Sequence, residues 1–223
     1  MPLTQLSAEL RELLLGKGRQ YKVPKGQIIQ STEDRKVFNL LVSGYVKRYL
    51  IANDGSIGVQ VVYGPDDVFP ITLAFKLMFN QDIYDGPEVY YYQAMTDAEI
   101  YTIDQSTLKE AVKANPILYR DLMSIAGRRL HSTLNGLENL TLRNSYKRVA
   151  HQLGYFAHRF GKRTSAGTEI KLQLTHQDLA DILSLTRETV STSIIRLRKN
   201  GLIKTNKLIL VPDLKKLQEE AYK

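Results

Sequence analysis

The side chains best suited to chemistry lie close together, in "LTRETVSTSIIRLRKNG" (185–201). On helical spacing Val190, Ile194 and Leu197 form an apolar stripe, and Arg187, Glu188, Ser191, Thr192 and Arg198 fall on roughly the opposite side. The chemistry open to such a polar face is recognition by hydrogen bonding. An arginine donates twice to O6 and N7 of a guanine, a glutamate accepts from N4 of a cytosine, and Ser or Thr reaches a base edge, a thymine methyl or a phosphate. The major groove of duplex DNA admits one helix, with its N-terminal residues nearest the bases. Arg187, Glu188, Ser191 and Thr192 are therefore the expected base readers, and Arg198, on the same face, an expected phosphate contact.

A reading helix needs elements that hold it. Thr175-His176-Gln177-Asp178 has the form of a capping box and opens a helix to about Leu183. Free amides and short polar side chains at such a start suit a phosphate, which assigns Thr175, His176 and Gln177 to the DNA backbone. Ser184-Leu185 is a tight turn, with Ser184 where a left-handed residue is wanted. Thr186 caps the second helix and Gly201 ends it. Leu179, Ala180 and Ile182 on the first helix face Val190 and Ile194 on the second. "LIKTNKLILV" then forms a small hairpin, whose Lys204 and Lys207 can neutralise further phosphates. Helix, turn, helix and hairpin make a winged helix-turn-helix.

Charge supports the same assignment. Residues 143–223 hold 16 Lys and Arg against 7 Asp and Glu, whereas residues 1–142 hold 15 against 16. All of the net +8 thus resides in the C-terminal part, as expected of a neutral domain joined to one that meets a polyanion. At 43% hydrophobic residues the chain can build packed cores. It has no cysteine, which excludes disulfides, thiolate nucleophiles and Cys-ligated metal or iron–sulfur centres. His131, His151, His158 and His176 show no metal-site pairing; His151 and His158 are seven apart, too far for the i, i+4 arrangement. No acid–base pair or nucleophile stands at diagnostic spacing, so neither enzymatic activity nor a metal or other cofactor is expected. The opening "MPLTQLSAEL" has no secretory pattern, and no apolar run approaches the ~18 residues of a membrane helix. The expectation is a cytoplasmic protein without a membrane partner.

Upstream, the pattern is β-like. Leu6, Leu10, Leu13 and Leu14 suggest a short helix, after which apolar runs alternate with turns. Asn53-Asp54-Gly55 is a hairpin signal, and Gly64-Pro65-Asp66-Asp67 is another turn. "EVYYYQAMTDAEIYTI" supplies two more strands, giving a barrel or roll. From Pro116 to Leu142 the spacing is helical. Met123, Ala126, Leu130, Thr133, Leu137 and Leu140 step by 3, 4, 3, 4, 3, a heptad seam. A helix this long outruns a small roll, so the seam is expected to pair with its copy in a homodimer. Asn144–Phe160 reads as a further helix, "GKRTSAGT" (161–168) as a loop, "EIKLQL" as a strand and "PDLKKLQEEAYK" as a short tail helix. The predicted fold is α+β, with a β-roll over 1–115, a dimerisation helix over 116–142 and a winged helix-turn-helix over 143–223.

On these residues the chain resembles the cyclic-AMP receptor protein and fumarate–nitrate reductase regulator family. "LTHQDLADILSLTRETVSTSIIRLRKNGLI" is close to the family's DNA-binding signature, "KANPILYRDLMSIAGRRL" resembles the entry to its dimerisation helix, and "YKVPKGQII" its first roll strands. The resemblance implies a cyclic-nucleotide-binding-like jelly roll as sensor, a dimer, and an inverted-repeat DNA site. It carries the recognition roles to Arg187, Glu188 and Thr192, the last an Arg in the cyclic-AMP-binding members. RNA polymerase is a candidate partner.

The nucleotide itself is not expected. Pro70 and Ile71 stand where nucleotide-binding members have Gly-Glu, Glu88 and Val89 where they have Arg-Ser, and Leu134 where a polar contact to the base belongs. A carboxylate facing a cyclic phosphate repels it. The effector stays open. Tyr84, Tyr90, Tyr91 and Tyr92, with Phe75 and Phe79 nearby, either line an apolar pocket for a different small molecule or are strand residues with alternating sides. The alternative function keeps the fold as a nucleotide- or small-molecule-sensing module with a protein–protein output, and the +9 segment and "TRETV" argue against that.

Overall fold

The hydrophobic faces set out above find their partners in a computed structural model, which describes residues 6–31, 37–79 and 89–223. The chain divides into two units, Met1–Ser132 and Thr133–Lys223.

In the first unit, β1 (Arg19–Val23), β8 (Ala98–Asp104), β3 (Val37–Ser43) and β6 (Val68–Phe69) form one antiparallel sheet in the order β1-β8-β3-β6. Strands β2 (Ile28–Ser31), β7 (Tyr91–Ala94), β4 (Val46–Ile51) and β5 (Ile57–Tyr63) form the other, in the order β2-β7-β4-β5. Strand side chains alternate, so β8, β3 and β6 of the first sheet each serve two cores. Leu41 and Ile100 meet Val46, Tyr63, Phe69 and Tyr92 between the sheets. Phe38, Leu40 and Ile103, on the other face, meet Leu10 and Leu14 of α1 (Ala8–Lys17), Ile71 and Leu73 of α2 (Ile71–Phe79) and Leu108 of α3 (Gln105–Ala114). The expected hairpin joins β4 to β5, with Gly55 at φ +81° and Ala52 N–H donating to Ser56 O at 2.9 Å. The second expected turn places Asp66 at φ +63°.

Helix α4 (Leu118–Thr141) occupies the predicted stretch. Leu118, Leu122 and Ile125 pack into the core of the first unit.

The second unit contains α5 (Ser145–Phe160), β9 (Gly161–Thr164), β10 (Gly167–Ile170), α6 (His176–Leu183), α7 (Arg187–Lys199), β11 (Lys204–Thr205), β12 (Ile209–Val211) and α8 (Leu214–Tyr222). Its sheet order is β11-β12-β10-β9. One expectation is corrected here. The stretch 161–168 is not a loop but the β9–β10 hairpin, and the strand expected over "EIKLQL" ends at Ile170. Every residue of β9 is exposed, so no apolar alternation marks it. The turn rests on Gly167 at φ +131°, where an added Cβ would lie 2.3 Å from Val211 O.

Candidate nucleic-acid interface

The interface is built on α6 and α7. Thr175 caps α6 as expected: its hydroxyl accepts from Asp178 N–H at 3.0 Å, and its own N–H donates to Asp178 Oδ2 at 2.9 Å. Ser184 takes the left-handed conformation, φ 49° and ψ 52°, and turns the chain within one residue. Thr186 then caps α7 by accepting from Thr189 N–H at 3.2 Å. Val190, Ile194 and Leu197 are buried against α5 and α6, together with Leu179, Ala180 and Leu183. The rotation of α7 is thereby fixed, and its other face stays in solvent.

That face carries Arg187, Glu188, Thr192 and Arg198, all exposed. Thr192 Oγ1 donates to Glu188 O at 3.0 Å, and the hydroxyl oxygen keeps its capacity to accept. Ser191 and His176 are brought together: Oγ and Nδ1 share a hydrogen bond of 2.8 Å across the α6–α7 angle. One role therefore engages both residues before any DNA is present. Gln177 is exposed, with Nε2 donating to Asp181 Oδ1 at 2.7 Å. Lys204 and Lys207 stand exposed on the wing. Ile195, 54% exposed on the same face, is a candidate contact that the stripe-against-polar division passed over. It lies four residues after Ser191, so helical spacing would have found it, and its side chain suits a thymine methyl.

The far end of α7 is clamped by Tyr146. Asn200 Nδ2 donates to the Tyr146 hydroxyl at 3.0 Å, that hydroxyl donates to Glu220 Oε1 at 3.0 Å, and the Arg196 guanidinium lies 4.1 Å from the Tyr146 ring centroid. Partial burial raises the Tyr146 phenol, so it stays protonated and keeps its donor. A second polar cluster gathers around His151. Asn139 Nδ2 lies 3.2 Å from His151 Nδ1, and Glu138 Oε2 lies 3.8 Å from Nε2. Burial lowers the His151 pKa, against the opposing pull of Glu138.

Apart from Ala126, the expected dimer seam lies on a face of α4 other than the one packed on the roll. Met123, Leu130, Leu137 and Leu140 are 54–64% exposed, and Thr133 is also exposed. Ala126 is partly buried against the roll core. Leu134, 53% exposed, falls on the same stripe.

The family model described as a Crp-like helix-turn-helix domain matches residues 147–220. The chain is 27% identical to the CRP-like cAMP-activated global transcriptional regulator of Mycobacterium tuberculosis, over 82% of this chain and 78% of that protein. It is 24% identical to the fumarate and nitrate reduction regulatory protein of Escherichia coli, over 91% of this chain and 78% of that one. Over residues 147–220 by the family model, and over most of its length by these relatives, the chain is similar to transcription regulators of the CRP/FNR family. A CooA mutant from Carboxydothermus hydrogenoformans superposes with a TM-score of 0.73, at 22% identity over 98% of this chain and 99% of that one, a likeness of fold.

Regulators of the CRP/FNR family bind DNA through this helix-turn-helix and are typically dimeric. In the roll, the tyrosine run separates by strand alternation. Tyr92 is buried, stacked on Phe69 with centroids 5.0 Å apart and 5.9 Å from Tyr63. Burial raises its phenol strongly. Tyr90 is buried beneath the Arg48 guanidinium, 4.6 Å from its centroid. Tyr91 lies on the opposite face and stacks on Tyr49 at 5.5 Å. Tyr84 and Glu88 lie outside the described residues. A recess of about 550 Å³ at the edge of the roll is lined, among the described residues, by Tyr21, Gln30, Asn39 and Thr102 rather than by the tyrosine run. The described residues contain no group of three or more potential metal ligands, and no helix among them is long and apolar enough to cross a membrane.

Proposed function

We propose that the chain acts as a homodimer that reads an inverted-repeat DNA site with one copy of α7 per half-site, without control by cyclic AMP. The observation that carries the reading is the outward face of α7. Arg187, Glu188 and Thr192 stand exposed in its first two turns and Ile195 beyond them, while its buried stripe and both of its ends are tied down. A helix so anchored presents its donors and acceptors without further ordering, and this is what recognition in the major groove requires. The exposed stripe on α4 supports dimerisation, because a helix face with five large apolar side chains in solvent asks for a partner. An inverted repeat follows from two-fold symmetry of the dimer.

The test is selection from a random duplex pool with no small molecule added. Enrichment of a two-fold symmetric motif is expected. Binding that stays sequence-independent and falls only with salt would reject the effector-free reading.

A further inference from the structure

A chain of hydrogen bonds within the second unit links the end of the seam helix to the turn of the helix-turn-helix. Asn139 is 3% exposed and sits in the last turn of α4. Its Nδ2 donates to Arg148 O at 2.8 Å, and Arg148 Nε donates back to its Oδ1 at 3.2 Å. The same guanidinium, through Nη2, donates to Leu183 O. Leu183 is the last residue of α6, and Ser184 after it makes the left-handed turn. Carbonyls at a helix C-terminus lack intrahelical donors and carry partial negative charge, so a guanidinium there is held by charge as well as by geometry. Leu137 and Asn139 are two residues apart, about 200° around the helix, so the seam and the anchor occupy opposite sides of α4.

We propose that Asn139 and Arg148 set the half-site spacing that the dimer accepts. This rests on the reading above, that α4 pairs the copies and α7 reads DNA. The planar guanidinium spans two acceptors, one on α4 and one on α6. It thereby fixes the angle between the dimer axis and α7, and so the separation of the two reading helices. Each inserted base pair rotates one half-site by about 35° relative to the other. A stiff dimer rejects that rotation, whereas one with a slack joint accepts it. Arg148 is a positioning residue here and touches no base.

The experiment measures affinity for the selected site, for versions with its spacer changed by one or two base pairs, and for an isolated half-site. Wild type is expected to lose about tenfold or more on changing the spacer. Asn139→Ala and Arg148→Gln are expected to cut that discrimination to about threefold or less, with half-site affinity and dimer mass unchanged. Arg148→Lys keeps the charge but not the two-acceptor fork, and is expected to behave like Arg148→Gln. Variants that keep full spacer discrimination would overturn the proposal. So would a loss of half-site affinity equal to the loss at the full site, because the pair would then merely hold the reading head together. Failure of the underlying reading is distinguishable: it would show in wild type, as a monomer or as no symmetric motif.

Discussion

Arg187 and Lys207 are both exposed cations, and their geometry gives them different work. Arg187 is the first residue of a helix anchored at both ends, so in the proposed reading its planar fork would meet a base edge at a fixed place. Lys207 sits in the wing turn between β11 and β12, where in the proposed reading a flexible point charge would meet phosphate. Arg187→Ala is expected to relax preference at one position per half-site, at a cost of roughly 1–3 kcal/mol on the preferred base. Lys207→Ala is expected to weaken all sequences alike and to lower the salt slope by about one. Titrations against the selected site and its single-base variants, at several salt concentrations, separate the two; an unchanged preference for Arg187→Ala would refute its role. The exposed polar face of α7 is legible in sequence because its residues share one helix and a 3.6-residue period. The pairing of His176 with Ser191 is not, because those residues are 15 apart and meet only when α6 crosses α7. Asn139 and Arg148 are hidden for the same reason, since their bond joins two helices across a bend that no periodicity encodes.

At the scale of the element, α4 carries two apolar faces, one packed in the roll core and one exposed. Leu122 is fully buried in the roll core, whereas Leu130 is 60% exposed on the seam. Leu122→Ala removes packed methylene groups and is expected to destabilise the first unit by about 2–5 kcal/mol. Leu130→Glu removes no contact within the chain. It is expected to leave the circular dichroism spectrum unchanged while converting the dimer to a monomer, because a carboxylate meeting its copy across a two-fold seam is repelled and desolvated. Sedimentation decides this: a Leu130→Glu protein that still sediments as a dimer would place the interface elsewhere. The 3, 4 stepping of the seam made this face visible in sequence. Strand β9 was invisible because a short exposed edge strand carries no apolar residue to alternate.

At the scale of the whole molecule, the question is whether the roll can receive the nucleotide that the fold suggests. Its interior is occupied by its own rings. Tyr63, Phe69 and Tyr92 are almost fully buried, and each centroid lies within 6 Å of the other two. The guanidinium of Arg129 lies over Tyr63 at 4.3 Å, and that of Arg48 over Tyr90, so both cations face aromatic rings rather than open space. Ile71 is buried in the core against the helices, in the place where the family resemblance puts an acidic ribose ligand. A bound nucleotide would have to displace packed aromatic side chains, each burying about 150–250 Å², and recover little from an absent ribose contact. Calorimetry with cyclic AMP is therefore expected to show no heat of binding, and affinity for the selected DNA site to stay constant as the nucleotide is added. Micromolar binding would mean that these rings move aside. A change in DNA affinity with it would restore the nucleotide as effector, since a ligand shifts an equilibrium only by its differential affinity for the two states.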